Sequence, residues 1–377
     1  RAVVLGPHIV NHRAPAPSLA ATAHLSTKAG ACEISPASHG TEPLDKFEDI
    51  SGLDARLVRA LRDANYRTPT TIQAHAMPLL VRGDDVMASA QTGSGKTLMF
   101  LLPLIQRLLS DSARARSSSA IAPCALVLSP TRELAAQIAD VASQLATPAG
   151  LRVVLATGGA DMRAQRRELA QGCDLLVGTP GRVLQWADER VISLRSCAEV
   201  VVDEADRMLD LGFEPQLRRM ARLLGSQPST GSGSDRHTIL CSATFPSEVQ
   251  RLASDFLRPD YYFIAAGRVG ATHSRIEQRL IWEDGGEAKR RSAALKEVKA
   301  FLSSSRASTK EDGQSLRPSG PPRALVFVNT KEAADRMGEA LQGVTGGVRV
   351  VHGDKEQSAR NRALADFRDG RCSTLVA

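Results

Sequence analysis

Short apolar runs recur along this chain and alternate with stretches whose apolar positions fall at helical spacing. Between residue 47 and about residue 265, the runs at 84–89, 124–129, 152–156, 174–177, 199–202 and 238–241 read as strands, and the apolar stretch 98–109 reads as a helix. Near-continuous apolar strands separated by helices predict an α/β fold in which helices cover both faces of a parallel sheet. From about residue 276 the alternation resumes, with strands at 278–281, 324–328 and 348–351 and helices at 289–302, 331–341 and 357–367. Stretches rich in Ser, Gly and Pro at 110–119 and 225–235 read as surface loops, and the polar stretch 303–323 as a disordered insertion. The expected division is a disordered tail over 1–44, with structure starting near Phe47, a first domain over 45–265 and a second over 266–377. Residues 374–377 are again apolar, so the second domain is expected to be incomplete at Ala377.

Composition adds few constraints. With 377 residues, two to three domains are expected. Lys plus Arg number 48 against 41 acidic residues, and the resulting +7 fits a polyanionic partner without demanding one. Six scattered cysteines without a Cys-x-x-Cys pair suggest reduced thiols and neither a disulfide framework nor a zinc site. The longest apolar stretch is too short for a bilayer, so a soluble protein without membrane contact is expected, in the cytoplasm ahead of the nucleus or an organelle. Residues 1–32 lack acidic side chains, and an unstructured tail is the reading preferred over a transit-peptide remnant.

Two segments carry the chemistry. Ala90-Gln91-Thr92-Gly93-Ser94-Gly95-Lys96-Thr97 lies between a strand and an apolar helix, the context of a phosphate-binding loop, although that pattern usually opens with Gly. Gly93 and Gly95 let successive amides point at phosphate, Lys96 adds a point charge, and the Thr97 hydroxyl can hold Mg²⁺. Asp203-Glu204-Ala205-Asp206 follows the run Val200-Val201-Val202, where an open parallel sheet presents ligands. Alone, such a tetrad reads equally as an acidic helix start. Paired with the loop, it predicts an ATP site with Asp203 on the metal.

Further motifs surround this pair: Tyr66 to Gln73, Pro130-Thr131-Arg132-Glu133-Leu134-Ala135, Thr157-Gly158-Gly159, Thr179-Pro180-Gly181-Arg182, Ser242-Ala243-Thr244, Leu325 to Lys331 and His352 to Arg360. In this order they make the chain resemble the DEAD-box RNA helicases from about residue 47 to residue 377, with Ser242 to Gly270 most similar to the Vasa and translation-initiation branch. The resemblance implies two RecA-like domains, the second incomplete, and an ATP-dependent, RNA-stimulated helicase that unwinds RNA locally without sequence specificity. Its implied ligands are ATP, Mg²⁺ and single-stranded or short duplex RNA, with protein regulators as further partners. It implies that Gln73 selects adenine, flanked by Phe47 and Tyr66, each of which taken singly is a core residue as readily as a stacking platform. The branch's Arg at the position of Thr68 is replaced here, and Arg67 stands one residue earlier.

Gln91, Thr92, Gly93, Ser94, Gly95, Lys96 and Thr97 would hold the phosphates, Thr97 and Asp203 the metal, and Glu204 the attacking water. Asp206, Ser242 and Thr244 would couple nucleotide to RNA, although the hydroxyls also suit helix caps. Thr131, Arg132, Gly158, Gly159, Thr179, Gly181 and Arg182 would touch the RNA backbone and 2′-OH groups, and Asn329, Thr330, His352, Gly353 and Arg360 would flank it. The family's later second-domain motifs, one with arginine fingers, have no counterpart before Ala377. If Ala377 were the true end, the chain would be expected to bind ATP as an RNA clamp with little turnover; otherwise a complete helicase is expected. A DNA-directed ATPase is disfavoured by the Gln73 motif and the acidic tetrad.

Overall fold

A computed structural model describes residues 23–27, 30–36, 40–91, 93–110, 121–159, 161–225, 236–266, 279–307, 322–343, 345 and 347–377, with the side chains of 23–27, 30–31 and 304–307 excepted. The described residues within Pro17–Ala271 form one compact unit and those within Thr272–Ala377 another.

The first unit is built on a nine-stranded sheet. Its strands are β1 (Ala23–Thr27), β2 (Gly30–Ser35), β3 (Val86–Ala90), β4 (Ala125–Leu128), β5 (Val153–Ala156), β6 (Leu175–Gly178), β7 (Glu199–Val202), β8 (His237–Ser242) and β9 (Tyr262–Ala266), in the spatial order β1-β2-β9-β3-β8-β7-β4-β6-β5. From β9 to β5 all pairings are parallel, and β1 and β2 add an antiparallel border. Side chains alternate between the two faces of a strand, and each face carries its own core. Ala88, Val127, Val177, Val201 and Ile239 pack under α1 (Ala55–Asp63), α2 (Thr71–Arg82), α3 (Lys96–Ser110) and α4 (Arg132–Ala146). Met87, Leu126, Leu176, Val202 and Leu240 pack with α5 (Met162–Ala170), α6 (Pro180–Asp188), α7 (Ala205–Asp210), α8 (Glu214–Leu224) and α9 (Ser247–Phe256). Burial on both sides explains why these strands read as continuous apolar runs.

The second unit has a three-stranded parallel sheet, β10 (Ala324–Val326), β12 (Thr374–Val376) and β11 (Val348–Val350), with β12 central. Its helices are α10 (Gly286–Ala307), α11 (Lys331–Gln342) and α12 (Gln357–Arg368). All six cysteines are free. Among the described residues no helix is long and apolar enough to cross a membrane.

Several boundaries differ from the sequence reading. Structure begins before Phe47: inside the expected tail, β2 pairs with β9 because Cys32 and Ile34 alternate inward and are buried. Residues 279–281 form no strand, and Leu280 and Trp282 are exposed. Helix α10 runs to Ala307, past the expected start of the insertion at 303. The loops expected at 110–119 and 225–235 fall outside the described residues except for Ser110, which ends α3, and Gly225, which follows α8; so do residues 1–22 of the tail and 308–321 of the insertion.

Candidate nucleotide and RNA site

Every predicted site motif of the first unit downstream of residue 90 follows the carboxyl end of a parallel strand, where open α/β sheets bind ligands. In spatial order, β3, β8 and β7 lead into the Gln91–Gly95 loop, Ala243-Thr244 and Asp203, while β4, β6 and β5 lead into Thr131-Arg132, Thr179 and Gly158-Gly159. The edge is therefore divided into a half that gathers the expected phosphate residues and a half that gathers the expected RNA residues, meeting between β7 and β4.

In the loop, Gly93 and Gly95 have φ of +82° and +94°, the left-handed region that glycine enters without penalty. Gly95 also needs its missing side chain, because a Cβ there would lie 2.5 Å from Gln73 Nε2 and 2.9 Å from Thr70 Oγ1. Lys96 opens α3, and its Nζ donates to the Ala90 carbonyl. Thr97 follows, half-buried, and the helix N-terminus supplies amides for an anion. Thr92 lies outside the described residues.

Gln73 is buried, and both ends of its amide are engaged. Its Oε1 accepts from the Thr70 amide at 2.8 Å and its Nε2 donates to the Gly95 carbonyl at 2.9 Å, while Thr70 Oγ1 donates to Ser94 O at 2.7 Å. The side chain expected to read adenine thus also clasps the phosphate loop. Each amide end keeps one further bonding capacity. Phe47 lies in the core at 2% exposure, and Tyr66 is half-buried against the same core. Arg67 Nε bonds Asn65 Oδ1 at 3.1 Å.

Asp203 is buried, and that burial, with Glu204 and Asp206 nearby, pushes its carboxyl up to about 6 against the opposing effect of Lys96. Glu204 has φ of +54°, a strained conformation for a residue with a side chain and one typical of functional sites. Asp206 Oδ2 accepts from Thr244 Oγ1 at 2.8 Å, Thr244 N at 2.9 Å and Ala243 N at 3.2 Å. Burial raises the Asp206 carboxyl, but these bonds outweigh it and hold the group below the usual range. Ser242 ends β8, fully buried. The Asp203 carboxylate and the Thr97 hydroxyl are hard oxygen donors that suit Mg²⁺, an ion usually held by one or two carboxylates together with substrate phosphates.

On the other half, Thr131 caps α4, its Oγ1 accepting from Leu134 N at 3.2 Å. The Arg132 guanidinium lies over Gly158 and Gly159, close enough that a Cβ on Gly159 would clash with it. Gly181 faces open space. Thr179 is buried at the start of α6, and Arg182 is turned inward: at 8% exposure it donates to Gln165 Oε1 at 3.1 Å and lies 6.0 Å from the centre of the Trp186 ring. Gln165 Nε2 in turn bonds the Thr157 carbonyl at 3.0 Å. Arg182 thus positions the Thr157–Gly159 loop here, and Gln165, absent from the sequence motifs, is the link.

The second unit gathers its motifs at the carboxyl ends of its own strands. Asn329, Thr330, Lys331, His352 and Asp354 line a cleft of about 490 Å³. Lys331 pairs with Asp354 at 2.6 Å, and Asp335 receives Lys355 at 2.9 Å and His352 at 3.2 Å. Gly353 adjoins the cleft, and Arg360 Nη1 bonds Gln357 Oε1 at 3.0 Å.

A glycine-shaped phosphate loop and a strand-end Asp on one parallel sheet define a P-loop nucleotide-binding protein of the RecA-like α/β class. The DEAD/DEAH box helicase family matches residues 70–252, and the helicase conserved C-terminal domain matches residues 314–377. The DEAD-box ATP-dependent RNA helicase 52A of Oryza sativa subsp. japonica is 41% identical over 343 residues, covering 89% of this chain and 54% of that protein. The crystal structure of the RNA-helicase Prp28 from Chaetomium thermophilum bound to ADP aligns at 31% identity and a TM-score of 0.51, over 89% of this chain and 72% of that one. That of the yeast DEAD-box splicing factor Prp28 aligns at 25% identity and a TM-score of 0.55, over 90% and 72%. The chain belongs to the DEAD-box helicase family. It spans about half the length of the rice relative.

Proposed function

We propose that this chain is the ATP- and RNA-binding core of an ATP-dependent RNA helicase, acting on RNA without sequence preference. One observation carries the reading: a single sheet edge gathers the residues expected to bind phosphate and those expected to contact RNA in two halves that meet at adjacent strands, β7 and β4. The loop amides and Lys96 would bind the phosphates, and Gln73 the adenine. Mg²⁺, held by Asp203 and Thr97, would neutralise charge on the phosphates. Glu204, fixed by its backbone turn, orients the attacking water and takes its proton. Asp206 locks Ala243-Thr244 at the end of β8 and so connects hydrolysis to the rest of the edge. Arg132 and the glycine loop at 158–159 present charge and bare backbone, which suit phosphates and 2′-OH groups but not base edges.

The test is ATP turnover with and without RNA, alongside a Glu204→Gln variant. RNA-stimulated turnover that falls about 10²- to 10⁴-fold in the variant, with ATP still bound, is expected. Undiminished turnover in the variant removes Glu204 from its role. Stronger stimulation by DNA than by RNA refutes the substrate class. RNA held only with ATP, and without turnover, would make the chain a clamp instead.

A further inference from the structure

One buried hydroxyl at the carboxyl edge takes part in none of these interactions. Ser129 follows β4, is fully buried, and its Oγ meets no hydrogen-bond partner among the described residues. An unpaired buried hydroxyl costs about 1–3 kcal/mol, and an alanine would fill nearly the same space, so a partner acquired in another state would account for the serine.

The sheet register identifies that partner. Leu128 stands opposite Val202 of β7, and the Asp203 amide donates to Leu128 O at 2.9 Å. One residue further along each strand, Ser129 stands beside Asp203. Val127 and Val201 share one apolar layer, and side chains two residues apart on a strand point the same way, so Ser129 and Asp203 project to a common face. Neighbouring strands lie about 4.8 Å apart, a span that a serine hydroxyl and a carboxylate bridge by rotating. Asp203 Oδ1 accepts from the Glu204 amide at 3.1 Å, and among the described residues nothing donates to Oδ2. An unused donor therefore sits next to an unused acceptor.

We propose that Ser129 is a positioning residue for Asp203: its hydroxyl donates to the Asp203 carboxylate when the nucleotide and its metal are bound, fixing how that carboxylate is turned. The inference rests on the nucleotide reading above. Ser129 is also two residues before Thr131 and three before Arg132, so the bond fastens the phosphate half of the edge to the strand that leads into the RNA half.

Ser129→Ala and Ser129→Cys, the second keeping the shape but only a weak donor, are compared with the unaltered 377-residue chain. Melting temperature is measured without ligand, and ADP affinity by calorimetry with Mg²⁺ and with EDTA. Both variants should melt no lower than the parent, lose about tenfold in affinity for ADP with Mg²⁺, and match the parent in EDTA. Affinity within twofold of the parent with Mg²⁺ overturns the proposal. So does an equal loss with and without Mg²⁺, or a lower melting temperature, since either makes the hydroxyl merely structural. Failure of the parent itself to bind ADP would instead refute the nucleotide reading, and this inference with it.

Discussion

Asp85 and Asp203 are both aspartates buried against the same sheet, Asp85 where β3 begins and Asp203 where β7 ends, and burial pushes both carboxyls up. Their surroundings differ. Asp85 accepts from the amides of Thr238 at 2.9 Å and Arg258 at 2.7 Å, and the Arg258 guanidinium lies 3.4 Å away while also bonding Gly83 O. Beside it, Glu199 at the start of β7 takes Arg107 at 2.6 Å and His237 at 3.0 Å. Among the described residues Asp203 accepts only from its neighbour's amide, next to a strained Glu204 and a Ser129 whose hydroxyl is unpaired there. The amino edge engages its buried carboxylates with protein donors and holds the layers together. The carboxyl edge leaves valences open, and open valences are what a ligand can complete.

If the edges divide labour in this way, substitutions should separate chemistry from stability. The largest effect expected is on rate: Glu204→Gln lowers turnover by about 10²- to 10⁴-fold and leaves the melting temperature within a degree or two. Arg258→Leu should do the reverse. It strips a buried carboxylate of its ion partner, a loss of about 3–5 kcal/mol, or roughly 6–20 °C in melting temperature for a unit of this size, while turnover per folded molecule stays within twofold. A fall in turnover without a fall in stability would break the comparison.

Gly95→Ala lies between these extremes. Its Cβ would displace Gln73 from the loop at a positive φ, costing about 1–2 kcal/mol in backbone strain and about tenfold in ATP affinity, readable by nucleotide titration. The smallest effect concerns pH. The folded Asp203 carboxyl titrates near 6, above the unfolded value of about 4, so its ionised form opposes folding at pH 7. As pH falls from 7 to 5 that penalty is partly lifted, and the ligand-free chain should gain about 1 kcal/mol, or roughly 3–5 °C, from this group. Asp203→Asn should abolish that increment in a comparison of melting curves. An increment that survives the substitution assigns it to another group.

The strands at 124–129, 174–177 and 199–202 were legible because burial on both faces leaves no polar interruption. β2 was not, since Glu33 interrupts its apolar residues, and neither was β9, whose partners β3 and β2 lie far away in sequence. The phosphate loop, the acidic tetrad and Arg132 were legible as motifs, for each sits where a strand ends. What escaped was the commitment of side chains across elements. That the Gln73 amide ties Thr70 to Gly95, that Arg182 turns in to Gln165, and that Ser129 is a buried hydroxyl beside Asp203 all depend on packing that no local pattern records.

The position of β3 between β8 and β9 also sets an order of events during synthesis. Asp85 bonds Thr238 across 153 residues of chain, so the strand that feeds the phosphate loop has no sheet neighbour until β8 has left the ribosome. At about 5–20 residues per second, the loop waits roughly 8–30 s. The loop that is expected to bind nucleotide is thus among the last parts of its unit to be fixed in place.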